Sequence, residues 1–199
     1  SFGRIREPVL RFTHLMRALE ASSRTGYWGI GRTDVPGNLN QTAMRAPSVF
    51  NFYRPGYSPA GTPVARAGLV APEMQITQES SVAGYADYLD RFVGGTSIYI
   101  VGLGDMIPHP DGERHSGGQA REIKFNLEPL IAKAKDVNQL LDEINVLFLN
   151  GQMQSDTRTI IHRAVSEAVP KRNNDDMRRV YRERVSLALY LALLSTDYL

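Results

Sequence analysis

Cysteine is absent from the 199 residues, which removes disulfide frameworks and thiolate metal sites from consideration. Lysine is missing from residues 1–66, where nine arginines meet only three acids, Glu7, Glu20 and Asp34, a local balance of +6. The whole chain carries +2, so the remainder carries −4. These arginines are spread along helix and loop, with no dense run and no nucleic-acid motif, so a solvated surface is expected rather than a nucleic-acid site. Also lacking are a GK[ST] phosphate loop, a G-x-S-x-G elbow and an HExxH helix, and with them the local geometries those chemistries need. A strand does lead into Gly102-x-Gly104, but the third glycine of a dinucleotide fingerprint is Ile107, and Pro108 follows where a helix should start. No cofactor is therefore expected. The apolar run at 185–199 is shorter than the ~18 residues of a membrane span and follows "RRVYRER", a soluble-helix pattern. There is no initiator methionine and no polar tail, so the sequence is expected to be a piece of a longer protein. No signal peptide is visible, and such a piece would not show one.

What is present suits a folded chain: 42% hydrophobic and 22% charged residues can bury a sizeable core. Glu7-Pro8 suits a helix start, and Phe12, Leu15, Met16 and Leu19 then form one apolar stripe. A second helix is predicted from a Thr77 cap, through Val82, Tyr85, Ala86, Leu89 and Phe92 or Val93, to Gly94-Gly95. The β-branched "TSIYIV" (96–101) reads as a strand, and "EIKFN" (122–126) as its antiparallel mate. Asp136 opens a third helix carrying Val137, Leu140, Leu141, Ile144, Leu147 and Phe148, closed at Gly151. Ser155 caps a fourth, with Ile160, Ile161, Ala164, Val165 and Ala168 on its buried side. Asn174 opens the last, apolar almost all round from Val185, as befits a bundle centre or a face awaiting a partner. The expected fold is thus mainly α: an irregular bundle of about five helices with a long aromatic, Pro/Gly-rich loop and one small β-hairpin. Residues 1–199 form a single domain or the C-terminal part of a larger helical domain, with a long ordered loop at 22–72 and a flexible hairpin insert at 102–120.

That loop raises the main question. Roughly fifty residues without periodicity far exceed the ~12–15 usual for structureless connections. Within it, "SVFNFYRPGY" packs Phe50, Phe52, Tyr53 and Tyr57 into eight residues, and Pro55 blocks any helix. Burial of the rings, with Phe50 and Phe52 facing inward as a belt, would order the irregular backbone. The alternative is a partly open ligand platform of Tyr27, Trp28, Tyr53 and Tyr57 for a sugar or peptide.

A metal site is conceivable at His109, His115 and Asp111 in the hairpin insert, since imidazole and carboxylate suit zinc and similar ions. The spacing matches no established motif, and a solvated hairpin tip is the plainer reading. His14 sits at the polar boundary of the first helix and His162 opposite the isoleucines of the fourth. Glu73 and Glu79 flank a helix start, where negative charge complements the helix dipole.

"RAPSVFNFYRPGYSPAGTP" followed by "AGLVAPEMQITQESSVAGYADYL" resembles the bacterial family called domain of unknown function 1800. "REPVLRFTHLMRAL", "LLDEINVLFLNGQMQSDTRTII" and "ALYLALLSTDYL" extend the resemblance over nearly the whole chain. The resemblance implies an N-terminal helical part of the same protein as a contact, and export to a periplasmic or extracellular setting. It also implies a possible partner, a sulfatase/phosphatase-like exported protein encoded nearby. It carries no catalytic residue across. The function expected is therefore non-enzymatic, a partner or scaffold module for a neighbouring exported protein. The alternative is a hydrolase acting on polysaccharide or ester substrates, its site completed by the N-terminal part.

Overall fold

A computed structural model of the chain describes residues 5–23, 28, 33–93, 97–101, 119–167 and 177–198. The fold is mainly α, with one small antiparallel hairpin. The elements are α1 (Pro8–Ala18), β1 (Ser22–Ser23), α2 (Pro63–Arg66), α3 (Glu79–Val93), β2 (Ser97–Val101), β3 (Gln119–Lys124), α4 (Glu128–Lys133), α5 (Val137–Leu149), α6 (Ser155–Glu167) and α7 (Met177–Leu194). All five helices expected from periodicity are present, while Asn174 and Gly94-Gly95, expected at two of their ends, lie outside the described residues. Two short ones join them, α2 and α4, each with proline in its first turn, where the missing N–H costs nothing. Neither is long enough to show an apolar stripe.

The chain divides into two compact units, one of Ser1–Thr13 with Ile30–Tyr88, the other of His14–Gly29 with Leu89–Leu199. The division falls inside α1 and α3. In the first unit the core is small: Phe12, Leu39, Ile76, Tyr85 and Tyr88 are buried, and Phe12 meets Tyr88 edge-on at 5.3 Å. The long loop is seated there by a Pro36–Gly37 turn against α3. A Cβ on Gly84 would stand 2.1 Å from the Pro36 carbonyl oxygen, so only glycine admits this approach.

The second unit holds the larger core. α7 packs against α4, α5 and α6, with Val185, Ala188, Leu189, Ala192 and Leu193 completely enclosed. The bundle-centre reading of this helix accounts for its apolar character. α5 starts where Asp136 accepts from the Asn138 N–H at 2.9 Å and ends at Asn150, in the left-handed conformation with φ 52°. Phe148, His14 and Tyr198 form a ring cluster, His14 lying nearly parallel to Tyr198 at 5.9 Å. The half-buried imidazole is thereby part of the packing.

The hairpin pairs β2 with β3 in antiparallel register, Tyr99 opposite Arg121 and Val101 opposite Gln119, with an irregularity between Ile98 and Tyr99. β1 adds to the other edge of β3, giving the order β1-β3-β2. The second strand ends at Lys124, two residues short of expectation. Asn126 is instead engaged by Leu19 and Glu20 and accepts from the Glu128 N–H, turning the chain into α4.

Local corrections follow from packing. Thr77 closes a 3-10 turn over Pro72–Ile76 rather than capping α3, its hydroxyl donating to the Glu73 carbonyl at 3.4 Å. Ser81 serves the start of α3, accepting from the Gln78 N–H at 2.8 Å. Ser155 is the first residue of α6, not its cap. Val82 and Ile160, expected inside, are 57% and 55% exposed, because the neighbours at Tyr85 and Ile161 take the inward positions.

Candidate functional site

The first unit brings the sequence-distant loop onto the N-terminus of α1 through one carboxylate. Glu7 sits just before the helix, its backbone carbonyl accepting from the Leu10 and Arg11 N–H groups. One side-chain oxygen accepts from the Tyr53 hydroxyl, the other from Gln41 Nε2 at 2.5 Å. Gln41 is buried, and its Oε1 accepts in turn from the Val9 N–H at 3.1 Å. A negative charge at a helix start is favoured by the exposed N–H groups there. The bonds to it are charge-assisted, so each is stronger than a neutral one. Two loop residues, 41 and 53, are thereby fixed to one point on α1.

One turn further along α1, Arg11 is buried and places its guanidinium 4.1 Å from the centre of the Tyr85 ring. Burial pushes the Tyr85 phenol above its ordinary value, and the charge and hydrogen bond of Arg11 pull partly the other way.

Beyond Tyr53 the loop is laced to the chain that leads into α3. The Arg54 N–H donates to Gln75 Oε1 at 2.7 Å, the Ala71 N–H to the Tyr57 carbonyl at 2.8 Å, and the Ser58 hydroxyl to the Leu69 carbonyl at 2.8 Å. These bonds order irregular backbone on either side of α2.

Between the two anchors, residues 43–51 are all exposed. Ser48 and Asn51 close a turn: the Asn51 N–H donates to the Ser48 carbonyl at 3.1 Å, and the Ser48 hydroxyl accepts from the Phe50 N–H at 3.1 Å. Val49 and Phe50 occupy the two central positions, so their side chains project away from the chain. Val49 is 95% and Phe50 72% exposed, and Met44 is fully exposed at a left-handed φ of 61°. The inward belt is therefore corrected. Phe50 is outside, and Phe52, Tyr53 and Tyr57 are half-buried. The physical reason is that Glu7 and Gln41 hold the loop by polar bonds, leaving its tip no core to fill. A Ser-x-x-Asn turn signature was present in the sequence and could have signalled the outward direction.

Of the platform residues, Tyr53 and Tyr57 belong to this unit, Trp28 to the other, where it is half-exposed, and Tyr27 lies outside the described residues. Tyr53 directs its hydroxyl to Glu7. His109, Asp111 and His115 lie outside the described residues as well. Among the described residues no group of three or more histidines, aspartates and glutamates could hold a metal ion, and no helix is long and apolar enough to cross a membrane.

Among the described residues, the site is a loop anchored through Gln41 and Tyr53 to Glu7, with Met44, Val49 and Phe50 exposed to solvent between the anchors. Comparison with curated proteins and with solved structures finds no match to the chain. The family model described as "Protein of unknown function (DUF1800)" matches residues 1–199, and the chain belongs to that family.

Proposed function

We propose that the chain is a non-enzymatic docking module of an exported bacterial protein, acting as partner or scaffold through the 43–51 loop. The observation that supports this reading is the exposure of Met44, Val49 and Phe50 on a segment anchored at both sides. Large apolar side chains held in water are costly unless another surface covers them. Anchoring lowers the entropy lost when that happens. Two occupants are proposed from the family resemblance: the N-terminal part of longer members, and a sulfatase/phosphatase-like exported protein. The hydrolase reading finds less support here, since both oxygens of Glu7, the carboxylate at the centre of the cluster, are engaged.

The test is reconstitution. The chain is mixed with each separately produced candidate and the complex measured by size-exclusion chromatography and calorimetry. A complex with at least one of them is expected, together with no turnover of polysaccharide or ester substrates by the reconstituted pair. Turnover by that pair would overturn the reading.

A further inference from the structure

The docking reading leaves the character of the partner's surface open, and the charge around the loop specifies it. From Val35 to Pro72 the chain contains no acid at all, while Arg45, Arg54 and Arg66 are spaced along it. All three are exposed. Among the described residues none of them pairs with a carboxylate; Arg66 makes one bond to the Gly61 carbonyl, at 3.0 Å. Of the acids beside the stretch, Asp34 is half-buried and Glu73 is buried, and Glu7, which holds the loop, is committed to Tyr53 and Gln41. Leu69 and Val70, in the stretch bonded to Tyr57 and Ser58, are also exposed, at 61% and 57%.

Resting on the docking reading, we infer that this surface is complementary to a protein groove with an apolar floor and a carboxylate-rich rim. Val49 and Phe50, projecting at the turn, are the side chains that enter the floor. The three arginines then meet the rim, where guanidinium forks suit carboxylates in two-point contacts. A segment that carries three exposed arginines and no acid repels a basic partner, so the charge selects as well as attracts. A protein groove is favoured over a lipid surface because the arginines are spread over 22 positions of a hydrogen-bonded segment rather than clustered as a polybasic run.

The experiment uses the whole chain with three probes: the N-terminal part of a longer family member, the sulfatase/phosphatase-like protein, and vesicles of phosphatidylglycerol and phosphatidylcholine in equal parts. Two variants are compared with the parent, Val49→Ser/Phe50→Ser and Arg45→Glu/Arg54→Glu/Arg66→Glu, each first shown to melt like the parent. The inference expects one of the proteins to bind. The serine variant should lose about 100-fold in affinity and the charge reversal about 10-fold at low salt, with the parent itself weakening as salt rises. Binding that the charge reversal leaves unchanged overturns the acidic rim while the docking reading stands. Variants that both bind like the parent, or a parent that binds neither protein, overturn both. Capture by the vesicles instead, lost in the same variants, replaces the protein groove with an anionic lipid surface.

Discussion

Gly84 illustrates how single atoms fix the first unit. Gly84→Ala would drive a methyl group into the backbone of Pro36 and Gly37, at 2.1 and 2.7 Å, where no side chain can swing aside. A loss of about 1–3 kcal/mol is expected, the range for overpacking, measured as a fall in the urea midpoint. Tyr53→Phe deletes one charge-assisted bond to a half-exposed carboxylate and should cost about 1–2 kcal/mol by the same measurement. Tyr85 gives a pH signature. Its phenol is raised by burial above its ordinary value, so the folded state holds its proton more tightly than the unfolded chain. The associated stability is fully present below the unfolded value and is lost as pH rises through the folded one. Thermal melts taken from pH 8 upward should therefore fall beyond about pH 10, and Tyr85→Phe should flatten that decline.

At the scale of elements, α5 is the firmest piece of the second unit. Phe148 is completely enclosed and touches both His14 and Tyr198, so Phe148→Ala should cost about 3–5 kcal/mol in chemical denaturation. This helix was readable beforehand: a capping aspartate, a clean apolar stripe and a glycine beyond the end all point one way. The hairpin was readable from β-branching, yet its second strand was displaced, because Asn126 is held by residues 19 and 20, more than a hundred positions away. Thr77 misled for a related reason. Its hydroxyl suits a cap, but the 3-10 turn before it claims that hydroxyl, and Ser81 supplies the cap bond. The site was the least legible part. Aromatic content announces burial only when a core is within reach, and the Glu7–Tyr53 and Glu7–Gln41 bonds that hold this loop leave no periodic trace.

For the molecule as a whole, the uneven charge of the sequence acquires a location. The acid-free stretch also presents Met44, Val49 and Phe50 to solvent, so arginines and exposed apolar side chains share one segment of the first unit. Whether the tip of this loop faces solvent or core determines what the loop can do. Phe50→Ser decides it, measured as the change in unfolding free energy against the parent. A solvent-facing ring predicts a change within about 0.5 kcal/mol, as for ordinary surface substitutions. A loss of about 3–5 kcal/mol, as for a phenylalanine taken from a core, would contradict the account.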